Sequence, residues 1–473
     1  MSSPYSAPET EASKSVPGSM AELFRVAVPL MISAGSQSLM NAADRVVLAG
    51  CSQEALAAVT PASMLHWTCI CIPLGTVLYA NTFISQYEGA GRKDRMMASL
   101  WQAIWIAIAA GLLLLSLLPL TRQLLQLSGH PPKVAELEAQ YFNTLGAGNP
   151  ILLVVTAMTC FFNGRRKTSV VMVITMCAVV FNFVADYLLV YGIGPFPELG
   201  IRGAALATVL ARCCEVVIYG VLIWRESKRL GLPLMSECRI DRELLWKYFR
   251  FGIPSGLHYF VDYSGFTVFL MLVGTLSSEA LAATNLAFSV NGLIFVPLLG
   301  FGTAIQTLVG HHMGARRIDW ARQTTRSATL LGILWTGGTG LLLILLPQLI
   351  LRPFSMFADE SQMVSLETLS HTASTLLYFV AVYSVFDALA VVYSSALRGA
   401  GDTMYPMVIT LVSTWLVMVL PAGLVVQSDS PSLLKLWFAS SASIVFTGSC
   451  MLFRYLLGRW TRIELVKDEP VAH

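Results

Sequence analysis

Four aspartates, Asp44, Asp186, Asp262 and Asp387, stand inside long apolar runs. A charge at the centre of a membrane costs about 3 kcal/mol on insertion scales, so each of these residues is by default a functional candidate. Asp44 lies late in the first run, beyond Pro29, with Asn41 three residues before it on the same helical face. Asn182 and Asp186 are four apart in the fifth run and face the same way. Thr208 adds a hydroxyl from the sixth run, inside the small-residue stretch Gly203-Ala204-Ala205-Leu206-Ala207-Thr208, which lets helices approach closely. Two carboxylates, an amide oxygen and a hydroxyl make a hard oxygen set suited to Na⁺ or a proton. Neither carboxylate keeps its charge there unless an ion, a proton or a donor compensates it. Pro29 removes a backbone hydrogen bond and allows a bend, so the helix carrying Asp44 can respond to that residue's charge state. The competing reading is that these groups only hydrogen-bond between helices.

The second half offers a different pairing. Tyr259 and His258 stand three and four residues before Asp262, and Tyr383 stands four before Asp387. Carboxylates flanked by aromatic rings suit a lipophilic cation, held by charge and by cation–π attraction together. A buried polar network is the alternative. Arg212 and Glu215, three apart in the sixth run, read as a structural ion pair. His311 and His312 are adjacent and diverge on a helix, which argues against a shared metal. The nine cysteines lie mostly within or beside apolar runs at spacings that make no structural zinc site, and they read as small buried hydrophobes.

The elements that must hold these residues are membrane spans. The 473-residue chain is 55% hydrophobic and 12% charged, half the charged fraction of a soluble protein. Mean hydropathy is +0.65. Runs of about 20 apolar residues recur from end to end, each long enough to cross a hydrocarbon core. Backbone amides in lipid must be satisfied within their own segment, which selects helices. The runs are too long and too uniformly apolar for an alternating outer-membrane barrel. We place twelve spans near 22–50, 56–87, 96–120, 138–162, 168–193, 202–225, 247–274, 280–312, 326–351, 368–397, 404–427 and 433–458. Cations cluster in alternate loops: Arg92, Lys93 and Arg95; Arg165, Arg166 and Lys167; Arg225 to Arg250; Arg316, Arg317 and Arg322; and Arg454 onward. The other loops hold stray cations such as Arg122, Lys133 and Arg352. The excess of Lys and Arg marks the cytoplasmic side. Both termini are therefore expected inside, which requires an even number of spans.

The chain also repeats itself. Gln53-Glu54-Ala55-Leu56-Ala57-Ala58 matches Ser278-Glu279-Ala280-Leu281-Ala282-Ala283 at an offset of 225 residues, which also relates Pro29 to Pro254, Gly89-Ala90 to Gly314-Ala315, and Asp94 to Asp319. Asn163 to Thr168 resembles Arg398 to Thr403 at an offset of 235, as a loop insertion would produce. Six spans per repeat give two halves of the same orientation, related by an axis along the membrane normal, with a transport path between them. The expected organisation is a tail over 1–18, a six-helix lobe over 19–225, a linker over 226–246, a second lobe over 247–460 and a tail over 461–473. The fold class is all-α: twelve transmembrane helices in two homologous six-helix bundles.

Taken together, the residues resemble the multidrug and toxic compound extrusion (MATE) family over nearly the whole chain. The resemblance is carried most specifically by Asn41-Ala42-Ala43-Asp44-Arg45-Val46-Val47-Leu48-Ala49-Gly50, by the Gln86 to Gly91 stretch, and by Ala396-Leu397-Arg398-Gly399-Ala400-Gly401-Asp402-Thr403. It implies a cation site at Asp44, Asn182, Asp186 and Thr208, and acidic positions in the second lobe at Asp262 and Asp387. Asp262 is shorter than the glutamate that some members carry there. It further implies a V-shaped pair of bundles and antiport, Na⁺ or H⁺ entering as an organic, often cationic, compound leaves. A bacterial inner-membrane exporter of this kind takes small organic cations and membrane lipid as partners and works as a monomer, with no nucleic acid, cofactor or ATPase subunit. A flippase for lipid-linked saccharides is the alternative, less favoured because its anionic headgroup calls for cations where this chain places carboxylates. No HExxH, GxSxG or GxxxxGK[ST] motif points to a membrane enzyme or to direct use of ATP.

Overall fold

The computed structural model describes residues 16–121, 123, 131–232, 235, 237–355 and 363–466. Most of the expected N-terminal tail, residues 467–473 of the expected C-terminal tail, and Arg122 lie outside the described residues.

Helices long and apolar enough to span a membrane follow one another along the chain: α1 (Met20–Ala49), α2 (Gln53–Gly89), α3 (Lys93–Leu120), α4 (Pro132–Ala147 and Asn149–Gly164), α5 (Thr168–Tyr191), α6 (Ile201–Leu230), α7 (Arg242–Gly274), α8 (Ser278–Gly314), α9 (Ile318–Leu345), α10 (Ser370–Ala400), α11 (Met404–Val426) and α12 (Leu433–Leu456). Two features depart from the expected spans. α4 is bent by 46° at Gly148, where Pro150 in the first turn of the second piece has no N–H to continue the ladder. α9 starts at Ile318 rather than near 326 and ends before Pro347, because hydropathy discounts its charged opening turns and a proline cannot extend its end. A separate helix, Pro347–Ser355, follows it.

The start of α1, the end of α12 and the loops after α2, α4, α6, α8 and α10 share one side, called here the terminal side. Four of those loops turn alike. After the last helical turn the backbone enters the left-handed region at Gly91, Arg166, Arg316 and Gly401. The next residue's N–H then reaches back to a carbonyl five residues earlier, as from Arg92 to Tyr87, Lys167 to Phe162, Arg317 to His312 and Asp402 to Leu397. Gly91 and Arg316 are 225 apart, and Arg166 and Gly401 are 235 apart, so the backbone repeats with the offsets that the sequence shows. Two of the four turns hold arginine where glycine is the easier residue.

The lobes meet in a reciprocal seam on the terminal side. Asn81 Nδ2 donates to Thr307 Oγ1 at 2.9 Å, and Gln306 Nε2 donates to Thr82 Oγ1 at 2.7 Å. Asn81 and Gln306 are repeat equivalents, as are Thr82 and Thr307, so each lobe gives the other the same contact. Gly89 and Gly314 are a second such couple. A Cβ on Gly89 would sit 2.0 Å from the carbonyl oxygen of His311, and one on Gly314 would sit 1.9 Å from that of Gln86. Only hydrogen fits at either place. Further from the terminal side Gly300 packs on Leu30 and Gly256 on Ile72. Beyond that level the lobes part: Gly35 on α1 and Gly292 on α8 have nothing within 4 Å of an added Cβ. The result is a cleft closed on the terminal side and open on the other.

Candidate functional site

In the first lobe, α1, α5 and α6 converge on one polar cluster. Asp44 is 5% exposed, and Asn182 and Asp186 are fully buried among apolar helices. Their spacing of four on α5 stacks the amide one turn above the carboxyl. Asn182 Nδ2 donates to Thr208 Oγ1 at 3.4 Å, and Thr208 Oγ1 donates to the Ala204 carbonyl at 3.3 Å. Asp44 and Asp186 face one another as electrostatic neighbours, with Tyr141 beside both. Asp44 Oδ1, Asn182 Oδ1 and both carboxyl oxygens of Asp186 are buried without a protein donor. The hydrogen bond open to the two carboxyls is with each other, and it requires one of them to hold a proton. Oxygens left unpaired at this depth are what a bare cation or a proton would need, and the donor set fits either.

Asn41 falls elsewhere. It is exposed, one turn from Asp44, and does not join the buried cluster. Pro29 is buried within an α1 that continues unbroken to Ala49, and Ser33 Oγ donates to its carbonyl at 2.9 Å. Arg212 and Glu215 pair at 2.6 Å as expected, but the guanidinium also donates to Gln37 Oε1 at 2.6 Å. That bond ties α6 to α1 between Pro29 and Asp44, and no spacing rule within one helix could have revealed it.

In the second lobe the carboxyls face the cleft. Asp262 on α7 is exposed and Asp387 on α10 half-buried, and the two are electrostatic neighbours. Tyr259, one turn before Asp262 on α7, accepts a hydrogen bond from Arg398 Nη1 at 3.3 Å. His258 Nδ1 and Thr410 Oγ1 are 3.0 Å apart, joining α7 to α11. Tyr383 is buried with no partner for its hydroxyl. In sequence Arg398 reads as part of a loop motif; the fold brings its side chain to the cleft. His312 leans instead toward the start of α1, its Nε2 3.6 Å from Glu22 Oε2, while its ring and that of His311 sit 66° apart. Among the described residues no group of three His, Cys, Asp or Glu side chains could hold a metal.

The MatE family profile matches residues 29–188 and matches again at 254–422. The chain belongs to the MatE family. The two matches begin 225 residues apart, so the family's own unit is the repeat seen in sequence, turns and seam. As a MatE protein it is a multi-pass membrane transporter and not an enzyme. Among relatives, it is 27% identical over 464 residues to the "Probable multidrug resistance protein NorM" of Thermotoga maritima, covering 96% of each chain. It is 26% identical to the protein of the same name from Chromobacterium violaceum, covering 95% of this chain and 96% of that one. Among solved structures, an outward-facing multidrug resistance MATE family transporter superposes with a TM-score of 0.84 at 20% identity, over 95% of this chain and 98% of that one. A structure described as MATE in the bent conformation superposes at 0.82, with 20% identity over 93% and 95%.

Proposed function

We propose that this MatE transporter is a secondary active multidrug exporter that antiports small organic cations against Na⁺ or H⁺ by alternating access. The observation that carries the reading is the set of buried, donorless oxygens on Asp44, Asn182 and Asp186, next to Thr208. Names of relatives as multidrug resistance proteins support the export of drugs. The clustering of Lys and Arg supports a terminal side that is cytoplasmic, in the inner membrane of a bacterium, and hence a cleft that opens outward.

In this cycle Na⁺ or a proton enters from outside and neutralises Asp44 and Asp186. The outer part of α1 then bends near Pro29, the first-lobe cavity changes shape, and the substrate leaves outward. Asp262, Asp387 and Tyr259 hold the cationic substrate, with Asn41 on the cleft wall. The lobes then rock about the seam and the ion is released to the cytoplasm. Coupling requires ion and substrate to differ in affinity for the two states: the ion favours the state in which α1 is bent, and the substrate the state in which it is not. One pH unit supplies about 1.4 kcal/mol per proton, enough for about a tenfold gradient of a substrate exchanged one for one. The transporter needs no ATPase subunit or cofactor and functions as a monomer. Uptake of a fluorescent cation into inside-out vesicles tests this reading: Asp44→Asn should abolish gradient-driven uptake while the protein still inserts, and uptake that survives intact would overturn the assignment.

A further inference from the structure

Arg398 is a buried cation of the second lobe that the cycle above does not use. It is 8% exposed and lies on α10 eleven residues beyond Asp387, about three turns along the same face. Its guanidinium is fixed on Tyr259 twice, by the hydrogen bond to the hydroxyl and by lying 5.5 Å from the ring centre. Its Nε is buried with no acceptor. Asp262 faces it, yet the two do not approach within the 4.0 Å of an ion pair.

The backbone explains why they stay apart. Tyr79 Oη donates to the Arg398 carbonyl at 3.2 Å, and Thr82 Oγ1 reaches the same oxygen at 3.5 Å. Gln86 Nε2 donates to the Gly399 carbonyl at 2.9 Å. All three side chains come from α2 of the opposite lobe and satisfy carbonyls that the end of α10 leaves open. Arg398 is thus pinned at the floor of the cleft by its main chain and by Tyr259. Its charge is present in the cavity without closing on either carboxylate, which leaves both open to a ligand. The charged neighbours of Asp262 are Arg398 and Asp387; Arg45 reaches the cleft from α1 against Tyr263, not against either acid. Two carboxylates and one guanidinium sum to a single negative charge.

We propose that Arg398 is a specificity-determining residue that sets this cavity to accept organic cations bearing one positive charge and to disfavour dications. The proposal rests on the reading of the protein as a cation exporter. A first positive charge is drawn to Asp262 and Asp387, whereas a second, on the same ligand, meets the guanidinium, and like charges held close oppose binding strongly.

Ethidium and propidium test it, because they share one aromatic ring system and differ by a second fixed ammonium group. Their driven uptake is compared in inside-out vesicles, and their equilibrium binding to the purified protein by fluorescence. The wild type should favour ethidium. Arg398→Gln should shift the ethidium-to-propidium ratio toward propidium by about tenfold, while Arg398→Lys, which keeps the charge, should hold the wild-type ratio. A glutamine variant that weakens both dyes equally, or a lysine variant that shifts the ratio as glutamine does, would overturn the proposal and leave Arg398 a structural pin. Should no gradient drive either dye, the export reading falls, while the binding ratio still decides the role of Arg398.

Discussion

Asp44 and Asp186 place carboxyl groups at a depth where lipid cannot solvate a charge, and on the proposed reading the lack of other donors around them marks an ion site rather than a structural polar network. Replacing either by Asn keeps the shape and removes the titratable charge. Each variant should insert and bind dye, yet lose driven uptake by at least about tenfold, the factor that 1.4 kcal/mol of lost coupling gives; dye uptake read against dye binding separates the two effects. Arg212 makes the contrasting prediction. Arg212→Leu leaves Glu215, whose side chain is 2% exposed, buried without its partner. That should cost about 3–5 kcal/mol of stability, most of it recovered in the Arg212→Leu/Glu215→Leu double variant, as thermal unfolding in detergent would show. The four first-lobe oxygens were legible in sequence because aspartates inside apolar runs are rare and helical spacing says which way they face. Arg398 and Gln37 were not, because their partners lie on helices remote in sequence and only packing brings them together.

At the scale of elements, the helices follow from apolar runs, and their ends follow from the same glycine and proline chemistry as in soluble proteins. The exceptions are local. The break in α4 at Gly148 comes from Pro150, which offers no N–H to the ladder, and the early start of α9 lies where charged turns lower the hydropathy average without ending the helix. Pro29 matters for motion more than for stability, since α1 already accommodates it in a continuous helix. Pro29→Ala should restore one backbone hydrogen bond and stiffen α1, so turnover should fall while equilibrium dye binding persists; unchanged turnover would remove the bend from the cycle. The Gln37–Arg212 bond lies between the proline and Asp44, so the same bend must stretch or release it.

Across the whole molecule the duplication copies the scaffold and diversifies the chemistry. The offset of 225 that matches turn to turn and seam contact to seam contact puts Gln37 opposite Asp262, and Asp44 opposite Phe269. On the proposed reading, one lobe has become the ion site and the other the cationic-substrate site, on equivalent backbones. The seam then decides which side is open. A disulfide between Asn81→Cys and Thr307→Cys, in a background without the nine native cysteines, should form readily, arrest transport, and be reversed by reductant; free transport in the cross-linked protein would show that the seam need not open. Sequence repeats made the two lobes legible. The reciprocal seam was not, since side-chain pairing across a pseudo-axis needs the packed structure.

In the proposed cycle an ion held at Asp44 and Asp186 drives a substrate through the cleft. The most direct test is uptake of a fluorescent organic cation into inside-out vesicles under a Na⁺ gradient and, separately, a pH gradient, for the wild type and Asp44→Asn. One of the gradients should stimulate uptake, and the stimulation should be lost in the variant. No response to either gradient in folded wild-type protein would contradict it and turn attention to a lipid-linked saccharide as cargo.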